Sequence, residues 1–202
     1  MEQYGAEALT DAVLHRLFVE IEASGRHVHV TREQAQILFG HDLTPVRELS
    51  QPGQYLAKER VTVTGPKGSL ERVAVLGPPR REGQAEISLT DGRVLGITPP
   101  IRLSGDVSGT PGAELTGPAG KVILSQGVIA AKRHIHLRPE DAERFGVRHG
   151  QTVRFQTYTD RPVIFEDVAV RVSPEFAPRV HLDTDEANAC GLHPGDLGRI
   201  LP

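Results

Sequence analysis

Residues 26–40 read RHVHVTREQAQILFG and residues 133–146 read RHIHLRPEDAERFG. Each stretch begins Arg-His-β-branched-His-apolar, carries a glutamate and an alanine at matched positions, and closes on Phe-Gly. A weaker third copy, VHLDTDEANACGLHPGD from Val180, lies on the second with His181 over His136 and Gly191 over Gly146. Self-similarity of this kind means that one supersecondary unit is used more than once. The β-branched stretch alternates with a period of two and predicts a strand. Thr31, Asp183 and Pro139 suit the start of a helix, and Gly40, Gly146 and Gly191 suit its end. The repeated unit is therefore a strand running through a cap into a short helix.

Around these copies the same alternation recurs over residues 19–31, 60–66, 71–78, 121–127, 151–157 and 168–174. These short runs of Val, Ile and Thr are cut by Gly-Pro, Pro-Lys-Gly and Ser-Pro, the pattern of β-barrels or sandwiches. The 21 Gly and 15 Pro fall mostly between the runs and act as turns. One short helix is expected over residues 6–16, AEALTDAVLHR, where the apolar spacing is helical. The chain thus reads as mainly β, with two related modules of about 100 residues each.

The 202 residues carry a net charge of −3, without the basic excess that a nucleic-acid partner requires. One cysteine makes no internal disulfide and excludes a cysteine-based zinc ribbon. No apolar run approaches the roughly 20 residues that span a bilayer, so no membrane partner is expected. The first residues, MEQYGAEALTD, have no apolar signal core. A cytoplasmic protein is expected.

The nine histidines carry the chemistry. On a strand, residues i and i+2 share a face with Cα atoms roughly 6–7 Å apart. His27 and His29 therefore project side by side, as do His134 and His136, close enough to converge on a zinc ion at bond lengths of roughly 2.0–2.1 Å. His181 occupies the matching place in the third copy, and the repetition favours metal binding over a solvated strand face. His15, His41, His149 and His193 read as surface or turn residues. Without cysteine, a zinc site takes a carboxylate, and Glu86 in QAEISLTDGRVLGI is either that ligand or a capping glutamate before a Ser-Leu-Thr-Asp turn. Arg80 and Arg81 follow Gly-Pro-Pro in a loop that either holds a phosphate or carboxylate in bidentate fashion or is simply basic. Cys190, aligned with Phe39 and Phe145, reads as a small core residue. Gly-x-Ser-x-Gly, P-loop and dinucleotide-binding fingerprints are absent from the sequence.

The stretches SGRHVHVTREQAQILFG, VLGPPRREGQAEISLTDGRVLGITPPIRLSGD, AAKRHIHLRPEDAERFGV and VHLDTDEANACGL together resemble the phosphate propanoyltransferase family, over roughly residues 19–202. The resemblance implies two similar β-barrels capped by short α-helices: residues 26–131 and 132–202, with a helix and strand from residues 1–25 packing with the second. It implies two zinc ions per chain. His27 and His29 would hold one, with the sulfur of coenzyme A completing its shell; Glu86, His134, His136 and His181 would hold the other, and Arg80 would stand by the phosphate. The implied reaction exchanges coenzyme A for phosphate on propanoyl-CoA or acetyl-CoA by direct attack of phosphate on the thioester. A zinc-dependent thioesterase and a non-catalytic metal-binding module are the alternatives. Acyl-CoA and phosphate are the implied partners, alongside a homo-oligomer. Residues 1–18 read either as a helix directing the protein to a bacterial microcompartment, as shell or cargo, or as a helix capping the second barrel. The sequence has SGRHVH where relatives often have SNRHVH, IRLSGD where they often have an Asp before SGD, and Cys190 where an alanine is usual.

Overall fold

The computed structural model describes residues 10, 13, 14 and 16–201. The helix expected over residues 6–16 lies largely outside them, as does His15; Val13, Leu14, Arg16 and Leu17 are helical. The chain divides into two compact units, residues 24–132 with 183–185, and residues 1–23 with 133–182 and 186–202.

The strands of the first half are β1 (Val19–Ser24), β2 (His27–His29), β3 (Pro45–Glu48), β4 (Tyr55–Thr64), β5 (Ser69–Gly77), β6 (Gln84–Ile87), β7 (Ile101–Arg102), β8 (Ala113–Thr116), β9 (Lys121–Leu124) and β10 (Val128–Ala131). Those of the second are β11 (His134–Leu137), β12 (Thr152–Tyr158), β13 (Ile164–Val172), β14 (Arg179–Asp183) and β15 (Leu197–Leu201). Beyond the helical residues before β1, the described residues form the short helices α1 (Arg32–Phe39), α2 (Leu89–Leu95), α3 (Pro139–Phe145) and α4 (Thr184–Cys190). The architecture is mainly β, as expected. One unit closes into a six-stranded barrel in the order β1-β14-β11-β13-β12-β15; the other is a nine-stranded sheet in the order β7-β10-β6-β2-β5-β4-β8-β9, with β3 paired to β4. Among the described residues no helix is long and apolar enough to cross a membrane.

Long strands such as β4 and β5 alternate buried and exposed residues, so one face meets the core and the other water. Three short strands differ: β2 and β11, which carry the His-x-His pairs, and β6, which carries Glu86, are buried at every position. Their apolar residues enter the cores, Val28 and Ala85 in one unit and Ile135 in the other. The polar residues of the alternate phase are buried as well. Cys190 lies in the core of the barrel, as its alignment with two phenylalanines predicts.

The strand–cap–helix unit occurs a fourth time, where the sequence suggested only a turn. Strand β6 runs through Ser88 into α2, with a reciprocal capping box between Ser88 and Asp91 and a left-handed Gly96 (φ 72°) at the end. Helix α2 has only seven residues and contains Gly92, too little for a helical period to show. That glycine is required, because a Cβ there would lie 2.6 Å from Pro99 Cδ and 2.7 Å from the Ile97 carbonyl oxygen. Copies associate in antiparallel pairs with the same register. In β2–β6, His27 faces Glu86 and His29 faces Gln84. In β11–β14, His134 faces His181 and His136 faces Arg179.

An arginine just before each His-x-His pair fixes the partner copy's helix. Arg26 Nη2 lies 2.8 Å from Asp91 Oδ1, and Arg133 Nη1 lies 2.7 Å from Glu186 Oε1. Replacing Ser88 by Ala should cost about 1 kcal/mol in urea unfolding. Asp91→Ala should cost more, since it removes the box and the Arg26 pair together, and combining it with Arg26→Ala should fall short of the sum of the single losses.

Candidate active site

Consider first the residues that β2 and β6 set face to face. His27, His29 and Glu86 are 6%, 2% and 5% exposed, and each is held on a strand whose alternate residues lock into the core. His27 Nδ1 donates to the Gly25 carbonyl at 2.8 Å and His29 Nδ1 to the Leu76 carbonyl at 3.2 Å. A carbonyl only accepts, so both neutral rings carry their proton on Nδ1 and present a lone pair at Nε2. These two Nε2 atoms lie 3.5 and 3.7 Å from the same carboxylate oxygen, Glu86 Oε1. One donor atom from each of the three residues lies within 4.8 Å of the others. Two oriented imidazoles and one carboxylate, buried together, form a donor set that suits a borderline divalent cation such as zinc.

The electrostatics follow from that burial. Burial disfavours the His27 cation, but the facing Glu86 carboxylate outweighs it and raises the His27 pKa. His29, deeper in the sheet, is pushed down to about 4, chiefly by burial, with Glu86 only partly compensating. Burial would raise the Glu86 pKa; the His27 charge and hydrogen bond, followed by His29, hold it well below the usual carboxylate range.

In the barrel unit, β11 and β14 bring His134, His136 and His181 together, with ring centroids 4.7 to 5.1 Å apart. His181 Nε2 lies 3.9 Å from Glu22 Oε2. Neither ring nitrogen of His136 has a hydrogen-bond partner. Burying such a group costs on the order of 1–3 kcal/mol, and a cation accepting a lone pair would offset that cost. Burial, then the neighbouring His134, His181 and Arg171, hold the His136 pKa down to about 2.

Every sequence-derived candidate now has a place. Glu86, which the resemblance groups with His134, His136 and His181, stands against His27 and His29. Arg80 is half-buried beside this group: its backbone N–H donates to the Val30 carbonyl at the end of β2, and its Nη1 donates to Ser104 Oγ at 2.7 Å. Ser104 in turn donates to Glu86 Oε1 at 2.6 Å. Arg81, His41, His149 and His193 are exposed.

Two residues escaped the sequence reading, Gln84 and Ser104. Gln84 Nε2 donates to Glu86 Oε1 at 2.5 Å and to Ser104 Oγ at 3.0 Å. Gln84 could have been found by aligning β6–α2 as a fourth copy, which sets it over His27. No local pattern reveals Ser104, 18 residues from its partner.

A family model described as phosphate propanoyltransferase matches residues 20–193. The chain belongs to the phosphate propanoyltransferase family. It is 51% identical to the phosphate propanoyltransferase of Listeria monocytogenes, with 96% of this chain and 92% of the relative aligned. The Enterococcus faecalis protein of the same name is 54% identical over 90% of this chain and 87% of its own length. For the Thermotoga maritima protein the figures are 49%, 96% and 99%. The chain is accordingly an enzyme, an acyltransferase.

The depressed histidines set a pH dependence for metal-free protein. Below about pH 6.5 the unfolded chain protonates the residues at positions 29 and 136 while the folded chain leaves them neutral. Stability present above pH 6.5 is therefore lost as pH falls toward 4, by up to ~1.4 kcal/mol per pH unit for each group. Urea midpoints of metal-free protein should fall between pH 7 and pH 5, the raised His27 opposing part of that fall, and His136→Gln should flatten the slope.

Proposed function

We propose that this chain interconverts a short acyl-CoA and phosphate with acyl phosphate and coenzyme A, that propanoyl-CoA or acetyl-CoA is the donor, and that six residues, five of them buried and His181 half-buried, hold two zinc ions. His27 and His29 would hold one ion, His134, His136 and His181 the other, with Glu86 beside the first pair. The observation that carries this reading is the buried His27–His29–Glu86 group joined to Arg80 through Ser104, in a chain of this family. Zinc bound by such donors supplies a Lewis acid for a carbonyl or phosphoryl oxygen and a soft partner for a thiolate.

The chain's own residues do the rest. Arg80 has a planar fork of donors matched to phosphate, and its tether to Ser104 and to the end of β2 fixes the direction in which that fork faces. Its positive charge offsets the repulsion between two anionic substrates. Cys190, the single thiol, is fully buried in the barrel core, where burial raises its pKa, so an acyl-cysteine is not part of this scheme. A phosphate oxygen instead forms its bond directly to the thioester carbonyl carbon. The carbon–sulfur bond then breaks, and coenzyme A leaves as the thiolate. The protein would act in the cytoplasm or, through residues 1–18, within a bacterial microcompartment, as a homo-oligomer.

The test is coenzyme A release from propanoyl-CoA, with and without phosphate, on protein of measured metal content. Release should require phosphate and yield acyl phosphate; equal release without phosphate would establish a thioesterase instead. Arg80→Ala should raise the phosphate KM or lower kcat at least tenfold, roughly the 1.4 kcal/mol of one charge-assisted contact. An unchanged enzyme would remove Arg80 from this role. Metal analysis should find two zinc ions per chain, and His136→Ala should retain about one.

A further inference from the structure

Gln84 is 2% exposed, lies two residues before Glu86 on the same face of β6, and stands opposite His29 in the β2–β6 pair. Its amide has one possible orientation. The Gly105 backbone N–H donates to Gln84 Oε1 at 2.8 Å, which turns the amino end toward Glu86 Oε1 at 2.5 Å and Ser104 Oγ at 3.0 Å. Ser104 Oγ also accepts from Arg80 Nη1 at 2.7 Å. A hydroxyl has one proton and two lone pairs. With both lone pairs engaged by Gln84 and Arg80, the Ser104 proton goes to Glu86 Oε1, 2.6 Å away. Arg80 only donates and the Glu86 carboxylate only accepts, so every hydrogen bond from Arg80 through Ser104 to Glu86 runs one way; Gln84, itself oriented by a backbone group, fills the remaining lone pair of Ser104 and donates to the same Glu86 oxygen.

We propose that Gln84 is a positioning residue for this site: it fixes the Glu86 carboxylate for metal ligation and locks the Ser104 hydroxyl that carries Arg80. This rests on the reading of Glu86 as a metal ligand. Gln84 thus couples the metal site to the phosphate site, and its loss should disturb both. Outer-shell partners of metal ligands typically tune affinity by about 10–100-fold.

The experiment uses full-length Gln84→Met, which keeps the side chain's length and removes its donors. Zinc affinity is measured by competition with a chromophoric chelator, the visible spectrum is recorded after cobalt loading, and phosphate KM and kcat are determined separately. The variant should hold one of its two metal equivalents about 10–100-fold more weakly, show a shifted cobalt spectrum, and lose more in phosphate KM than in kcat. A folded variant with wild-type affinity, spectrum and KM overturns the proposal. Wild-type protein that binds no zinc or cobalt would instead overturn the metal reading itself. Should Gln84→Met fail to fold, wild-type protein labelled with 15N-glutamine gives the answer. The Gln84 side-chain amide, identified through its contact with the Gly105 N–H, should be downfield and slow to exchange; an amide exchanging like free glutamine overturns the proposal.

Discussion

A carboxylate buried in the middle of a sheet must be matched by donors, and the register of β2 against β6 is what supplies them here. That register sets His27 opposite Glu86 and His29 opposite Gln84. A one-residue slip would turn Glu86 into the apolar core and bring Ala85 to the face shared with His27 and His29. The slip is blocked from both sides. Val28 and Ala85 are completely buried in the core, and Ser88 starts a helix immediately after the strand. Local chain chemistry, in the form of a capping box and an arginine strap from Arg26 to Asp91, thus helps place the buried polar groups.

The same device recurs in the barrel with different contents. There Arg133 straps Glu186, and β11 meets β14 in the corresponding register, so His181 occupies the place that Glu86 takes in the other unit. The consequences for orientation differ. His27 and His29 are steered by backbone carbonyls at their Nδ1 atoms. His136 has no hydrogen-bond partner and rests instead on the Phe176 ring, 4.2 Å between centroids, over which the Arg171 guanidinium lies at 5.6 Å. A ring contact of this tilted kind restrains an imidazole while leaving both nitrogens available, whereas a hydrogen bond commits one of them. With all imidazoles neutral, the Glu86 set offers one negative charge and the three-histidine set offers none, so the two would differ in their hold on a dication.

Much of this was legible in the sequence because the repeat is written in residues with strict local roles. Histidines two apart, Thr31 and Pro139 at helix starts and Gly40 and Gly146 at helix ends each reflect a conformational rule that acts over a few residues. Glu86 remained ambiguous for the opposite reason. Its copy carries glutamine and glutamate in place of histidines, and its helix is only seven residues long with a glycine inside. The cue that was present was the spacing of Ser88 and Asp91, a capping box two residues after Glu86. Ser104 lay beyond such cues, since only the packing of a turn near β7 against β6 brings it to the carboxylate.

That distinction bears on how the site is built. Residues written into the repeat, His27, His29, His134, His136 and His181, inherit their positions from strands that must pair in any case. Arg80 and Ser104 belong to connecting segments outside the repeat, and they reach the site by hydrogen bonds rather than by strand register. A donor fixed by register is placed to the accuracy of a sheet, and its neighbours hold it whether or not a ligand is bound. A group fixed by side-chain hydrogen bonds depends on each link in the chain. Gln84 stands where these two kinds of positioning meet: its backbone belongs to the repeat, and its amide belongs to the network. A single residue held by both can carry the rigidity of the sheet out to groups that the sheet itself does not contain.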